Sequence, residues 1–343
     1  MQNVFKKILN LFHNNMYRNF MKLFFVLICS IVFTHPSFGQ SPEISSKYKS
    51  AETAKMTFIS FESFKNSYGK NAASWFDYYK IVEQSRLLSN PEKDKIKHQI
   101  FDESSQYIDG TWQNEFFKYL GSEHRDSSSL FNALKLSEDN FNLFPYVVQY
   151  AVIKGNLLLA EEYSKKYSNV VRISPAEMEY SYNTLMSADS FSTIYSKGLL
   201  DILNLSVLKY VYNIRKDVEL KFFTGIIKNG ERNYLALSLG KEEILKYNNG
   251  YYSGLLISTQ KPNRGFNPSV FKTNYIESTS LLPESLLPVY KNYFPSFLLY
   301  YREMVRQKNA EEVNKWKNII IKLATLTKMV TEINIILQSP EYH

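Results

Sequence analysis

The sequence predicts an α/β fold, a mostly parallel sheet with crossover helices, flanked by N-terminal helices and by TPR-like helical hairpins. Three observations lead there. Between residues 188 and 290, short β-patterned runs alternate with helix-patterned ones, the order that builds parallel strands joined by crossover helices. On either side of that region, apolar residues recur at helical spacing. Two stretches, FPYVVQYAVIKGNLLLAEEYSKKY (residues 144–167) and FPSFLLYYREMVRQKNAEEVNKWKNIIIKLATL (residues 294–326), each read as two helices joined by a short polar turn.

The N-terminal pattern is that of an export signal. From Met21, the stretch MKLFFVLICSIVFTHPSFGQS joins Lys22 to the apolar run Leu23–Phe33 and to a small-residue exit at Ser37-Phe38-Gly39. Such a pattern predicts secretion across the inner membrane, with cleavage after Gly39. The apolar run is too short to cross a hydrocarbon core of about 30 Å as a helix. Residues 1–20 read as an upstream extension, with Met21 as an alternative start. Cys29 is the single cysteine and lies inside the apolar run, so the mature part, from Gln40, is expected to hold neither disulfides nor thiolate-bound metal. Ile28 precedes it, where a lipid-modified cysteine has a small residue.

Charge narrows the partners. The chain carries 41 Lys and Arg against 33 Asp and Glu, a net charge of +8. Loss of residues 1–39 removes Lys6, Lys7, Arg18 and Lys22 and no acid, which leaves +4. That is too mild to indicate nucleic acid or an anionic membrane surface. Beyond the signal, no run is apolar enough to span a membrane.

The expected organisation follows the chain. Residues 1–39 are the signal and its extension, 40–70 a polar lead-in, 71–187 a helical region, 188–290 the α/β domain and 291–343 a C-terminal helical hairpin. In the helical region, SWFDYYKIVEQSRLL places Trp75, Tyr78, Ile81 and Val82 on one helix face. Asn90-Pro91 breaks that helix, and the next aligns Ile96, Ile100 and Phe101. Thr111 is placed to cap TWQNEFFKYLGS. The hairpin at 144–167 turns at Gly155-Asn156, and small Ala160 lets its helices approach. In the α/β domain the expected strands are 192–196, 217–223, 233–238 and 252–258. A helix over 199–213, with Leu205, Leu208, Val211 and Tyr212 inward, crosses between the first two. Asn229-Gly230 is a turn, and LGKEEILKYNN a short helix.

This order of parts resembles a family of exported Bacteroidota domains that also occur fused behind the membrane part of protein O-mannosyltransferase-like proteins. The likeness runs from about Phe144 to Ala324. It rests on FPYVVQYAVIKGN, on SYNTLMS, on Ile214-Arg215-Lys216-Asp217-Val218, on YLALSLGKEEILKYNNGYYSGLLI and on NYFPSFLLYYREM. The resemblance implies an exported α/β core with helical hairpins and attaches no reaction to it. Family members carry a polar turn after the first strand: Gly, an acidic residue, Asn, Asp, Thr, an aromatic residue and Pro. Here Gly198 and Asp201 match, whereas Leu199, Leu200, Ile202, Leu203 and Asn204 stand at the other positions.

That turn is the candidate site. In open α/β sheets, ligands bind beyond the C-terminal ends of the strands. Asp201 would then be a base or a metal ligand, or merely a helix N-terminal carboxylate favoured by the dipole. A lone carboxylate without a second acid or a histidine rarely makes a catalytic centre, so no catalytic residue is expected. Mature histidines are His98, His124 and His343, none at ligand spacing from another, so no metal is expected either. SEHRDSSS, residues 122–129, reads as a loop with a helix cap rather than a triad. No phosphate-cradling glycine loop and no G-x-S-x-G elbow is present, and no cofactor is expected. The tyrosine pairs 78–79, 251–252 and 300–301 raise sugar stacking, but adjacent residues face different ways, so one of each pair is expected in the core.

The functional expectation is a non-catalytic cell-envelope accessory protein, periplasmic or outer-membrane associated, that binds another envelope protein. Its contact would be the apolar turn of Gly198, Leu199, Leu200, Asp201 and Leu203. The alternative is an enzyme or binding protein acting on cell-envelope saccharides.

Overall fold

The computed structural model describes residues 60–342, except 86, 124–125, 228–231, 240–242, 245, 247–249, 261–265 and 279–285. The signal pattern, the choice between Met1 and Met21, the Asn229-Gly230 turn, most of the helix expected in LGKEEILKYNN, and His124 and His343 lie outside the described residues. Among the described residues, 64% are helical and 7% are strand. The expected α/β class is thereby corrected: the protein is mostly helical, with a few short strands of mixed direction. No described helix is long and apolar enough to cross a membrane.

The strands fall close to the expected places. They are β1 (Thr193–Ser196), β2 (Glu219–Phe222), β3 (Asn233–Ala236), β4 (Tyr251–Ser253) and β5 (Leu256–Ser258). What differs is their direction. β1 and β2 pair parallel, with Thr193 opposite Glu219 and Ser196 opposite Phe222. β3 with β5, and β4 with β5, pair antiparallel. The single strand expected over 252–258 is two, because Gly254 turns the chain back on itself. Ser253 faces Leu256, so only Gly254 and Leu255 lie between. Gly254 has φ +61°, and glycine at the first central position is the pattern of a two-residue II′ hairpin. A chain that reverses in two residues pairs antiparallel; only a long crossover gives parallel strands.

The chain divides into two compact units, each drawn from separate segments, and not at the boundaries expected at 187/188 and 290/291. The first comprises described residues of 60–182 with 193–226. It opens with α1 (Phe61–Tyr68), capped by Ser60, in the stretch read as polar lead-in. Phe61 and Phe64, three apart, bury on one helix face. The Phe64 ring stacks on Tyr78 at 4.3 Å and meets Trp75 edge-on at 5.3 Å. α2 (Ala72–Gln84) buries Trp75, Tyr78 and Val82 of the expected face, with Ile81 half-buried. α3 (Asn90–Glu103) starts at the predicted break with a Ser89–Glu92 capping box and Pro91 in its first turn. α4 (Trp112–Gly121) is capped by Thr111, whose Oγ1 accepts from the Asn114 N–H at 3.3 Å. α5 (Ser127–Leu136) is capped by Asp126, which accepts from the N–H groups of Ser128 and Ser129.

α6 (Phe144–Lys154) and α7 (Leu157–Val170) form the expected hairpin. Gly155 takes φ +67°, and the Asn156 N–H reaches back to the Ala151 carbonyl at 2.8 Å, a Schellman ending. Asn156 then caps α7 through the Leu159 N–H. Ala160, fully buried, is the close-approach point. After α8 (Pro175–Met186) comes β1, then α9 (Leu199–Tyr210), then β2. α9 packs on α6, α7 and β2. It stops three residues short of expectation, and Asn213 turns left-handed at φ +58°. Tyr212 therefore lies past the helix and is exposed rather than inward.

The second unit comprises described residues of 183–192 with 227–342. Its core is β3, β4 and β5 with a second hairpin, α10 (Phe294–Arg306) and α11 (Ala310–Leu326), followed by α12 (Val330–Leu337). Buried Trp316 of α11 packs against Phe297 at 5.0 Å and donates its indole N–H to Glu312 at 2.9 Å. Asn183 holds the 272 segment in place. Its amide donates to the Lys272 carbonyl at 2.7 Å and to the Tyr293 hydroxyl at 2.8 Å, and its oxygen accepts from the Lys272 N–H at 2.8 Å.

Candidate functional site

The turn after β1 folds the Asp201 carboxylate back over Gly198. Gly198 is the residue before the first turn of α9, with φ −66°, so no left-handed backbone requires glycine there. Space requires it instead: a Cβ at 198 would lie 3.0 Å from Asp201 Oδ2 and 3.1 Å from its Cγ. The buried Ser196 hydroxyl accepts from the Gly198 N–H at 3.2 Å and donates to Asp201 Oδ2 at 3.3 Å. Asp201 thus serves the helix start electrostatically and closes the strand-to-helix turn. Lys197 is exposed, and its ammonium stands 5.6 Å from the Phe223 ring centroid.

The leucines have a structural use. Every residue from Ile202 to Lys209 is buried. A helix apolar on all sides is an interior helix, and this one is enclosed by α6, α7 and β2. Leu203 is fully buried and Leu199 and Leu200 are half-buried. The expectation that Leu203 forms a partner-binding surface is corrected on that ground: its side chain is already covered within its own unit. Each of the buried leucines of α9 contributes about 1.5–3 kcal/mol by leaving water.

Sequence reasoning missed Lys209. It lies seven residues after Ile202 and four after Leu205, so helix periodicity places it inward, and it is 5% exposed. Its ammonium donates to the Val218 carbonyl at the threshold of β2. Burial pushes its pKa down to about 8, an effect that the charges of Glu219 and Asp217 partly oppose. Around it runs an ion-paired loop. Arg215, left-handed at φ +50°, grips Asp217 through two bonds of 3.0 and 3.1 Å, and Lys221 pairs with Glu219 at 2.8 Å. This cluster sits at the N-terminal end of β2, opposite the strand ends where ligands bind in parallel sheets.

The other sequence candidates separate. Asp126 of SEHRDSSS is a helix cap, as expected. His98 is exposed on α3, 6.3 Å from the Phe101 ring. Among the described residues no group of three or more His, Cys, Asp or Glu side chains is placed to hold a metal. Of the tyrosine pairs, Tyr251–Tyr252 and Tyr300–Tyr301 each put one ring further out than the other, whereas Tyr78 and Tyr79 are both buried. Burial pushes the Tyr78 hydroxyl up to about 12, and burial next to Tyr146 and Glu83 raises that of Tyr79 as well. Aromatic density in α1 to α4 is core packing.

The exposed apolar residues lie elsewhere. Leu157 and Leu158, at the tip of the α6–α7 hairpin, are 59% and 81% exposed. Beside that hairpin, Phe131 of α5 meets Tyr150 of α6 edge to face at 5.5 Å. Comparison of the chain with protein-family models, with curated proteins and with solved structures finds no match.

Proposed function

We propose that this protein is a non-catalytic component of a bacterial cell envelope, exported across the inner membrane, that works by binding another protein. The observation that carries the reading is the pair Leu157 and Leu158, left in solvent at a hairpin tip while the leucines of α9 are buried. Two adjacent leucines exposed at one tip, with Phe131 exposed on a neighbouring helix, are the kind of surface from which apolar interaction patches are built. Helical hairpins are rigid supports for such surfaces, because each helix is fixed by its partner. The turn around Asp201 supports the non-catalytic half of the reading. Its carboxylate is engaged by Ser196 and lies over Gly198, which fits a structural role at the start of α9. Export is supported by the pattern from Lys22 to Gly39 and by the resemblance to exported Bacteroidota domains.

The test joins location to binding. Peptide mass spectrometry on the envelope fraction should find a mature N-terminus at Gln40, and an intact Met1 or Met21 terminus overturns the export half. Crosslinking in intact cells should recover a partner protein from wild type, and Leu157→Asp with Leu158→Asp should abolish recovery while leaving the helical circular dichroism unchanged. Turnover of a cell-envelope saccharide by the purified protein would overturn the non-catalytic half.

A further inference from the structure

We infer that the outer face shared by α5 and α6, continued by the hairpin tip, binds an acidic amphipathic polypeptide segment of the partner. This rests on the protein-binding reading and adds to it the surface and the chemistry of what it takes. The face has a repeated plan. Phe131 on α5 has Lys135 one turn further on, and Tyr150 on α6 has Lys154 one turn further on. Residues four apart share a helix face. The two rings touch, with centroids 5.5 Å apart, so the two faces join into one surface. The Lys154 ammonium lies 5.9 Å from the Tyr150 ring centroid, and Leu157 and Leu158 follow within four residues. The centre is apolar and aromatic, and the rim is cationic.

How the neighbouring charges are paired decides the sign of the partner. On α7, Lys165 holds Glu161 at 2.5 Å and Lys166 holds Glu162 at 2.7 Å. On α4, Lys118 holds Glu115 at 2.6 Å, and Glu115 also accepts from the Asn132 amide at 3.3 Å. Those acids are neutralised along their own helices. Among the described residues, Lys135 and Lys154 stand in no ion pair. The nearest acids in sequence, Glu138 and Asp139, follow the end of α5. The face therefore presents two cations outside any ion pair beside two touching rings, with Leu157 and Leu158 exposed at the hairpin tip that follows. It is complementary to a segment that alternates carboxylates with Leu, Phe or Met at helical spacing, the pattern of helix-in-groove recognition. Complementary charge would set the speed and register of docking, and the rings and leucines its strength.

A photo-crosslinking phenylalanine analogue placed at position 158 of the full-length protein, activated in intact cells, tests this directly. Mass spectrometry of the adduct should identify a segment of a different protein, with net negative charge and apolar residues at helical spacing. Lys135→Glu with Lys154→Glu should lower the yield about tenfold or more while circular dichroism holds and Tm falls only by the few degrees expected of charge reversal in the last turns of α5 and α6. A synthetic peptide of the captured segment should lose about tenfold in affinity between 50 and 300 mM salt (order-of-magnitude expectation for two screened charge pairs). An adduct with lipid, with a second copy, with residues 1–59 of the same chain or with a segment lacking net negative charge overturns the inference, as does a yield indifferent to charge reversal. Failure of this surface is distinguishable from failure of protein binding. A general amine-reactive crosslinker in intact cells would still capture a protein if binding occurs elsewhere on the molecule, and would capture none if the protein binds none.

Discussion

The first unit builds its strands in parallel and the second builds them antiparallel, and each choice dictates a different interior. To return β2 alongside β1 in the same direction, the chain must cross over through α9. Once that helix is enclosed by α6, α7 and β2, its circumference is largely apolar; Lys209 reaches the Val218 carbonyl, whereas the buried Ser206 hydroxyl has no partner among the described residues. The apolar residues from Ile202 onward follow from that enclosure. The second unit reverses its chain between β4 and β5 with Gly254 and Leu255 alone. Its demand is local. The Leu255 N–H donates to Ser187 Oγ at 2.8 Å, the Ser253 hydroxyl donates to the Ser187 carbonyl at 2.8 Å, and the Ser296 hydroxyl donates to the Gly254 carbonyl. One arrangement concentrates its stability in a buried helix, the other in one glycine and three serines.

The strongest way to break this contrast is Leu203→Asp. It places a carboxylate at a fully buried position, and the loss should exceed about 4 kcal/mol, enough to unfold the first unit. Limited proteolysis should cut the variant within residues 193–226. Gly254→Ala attacks the other arrangement. A Cβ there would lie 2.1 Å from Ser187 Oγ and would have to accept φ +61°. The expected loss is about 3 kcal/mol, from overpacking and left-handed strain together, read as the midpoint of urea unfolding.

Next in size is the buried lysine of the crossover. Because the folded-state pKa of Lys209 is about 8 against an ordinary 10.5, the unfolded chain binds more protons between those values. Stability should therefore rise as pH increases from about 8 toward 10.5, and it should be insensitive to this group below 8. Lys209→Met should raise stability at pH 7 and flatten the rise, measured by chemical unfolding at pH 7 to 9.5, below the ordinary range of tyrosine ionisation.

A smaller effect compares the two helical hairpins. Both end their first helix with a left-handed residue followed by a capping asparagine: Gly155-Asn156 in one and Lys308-Asn309 in the other, with φ +67° and +57°. Lys308→Gly should stabilise by up to about 1 kcal/mol and Gly155→Lys should destabilise by a similar amount, each read as a shift in Tm. The smallest change expected is Asp201→Asn. It retains an oxygen for the Ser196 hydroxyl and removes only the charge at the start of α9, so the loss should stay below about 1 kcal/mol. Partner recovery should match wild type, and its abolition in a folded protein would return the turn to the centre of the function.

Local features were legible where a residue's own chemistry dictates the outcome. Thr111, Asp126, Asn156 and Gly155 sit at helix ends because side-chain oxygens satisfy free N–H groups and glycine tolerates φ above zero. The buried face of α2 followed from helical spacing, as did Leu205 and Leu208 of α9. Lys308 was not legible as a helix end, because lysine has no preference for a left-handed backbone and accepts it only where the following asparagine and the packed hairpin compel the turn. The helix at 61–68 was missed because two phenylalanines in a polar stretch signal a core only when Trp75 and Tyr78 come to meet them.

By itself, then, the sequence determined where most of the helices and strands lie along the chain, several of the caps that end them, and an N-terminal pattern that predicts export. Strand direction and the balance of helix over sheet were decided by tertiary structure, since period-two patterning is the same for parallel and antiparallel strands. So was the fate of the leucines. An apolar turn reads identically whether it faces a partner or an interior, and only the packing of α6 and α7 over α9 assigns Leu203 to the core and leaves Leu157 and Leu158 in solvent.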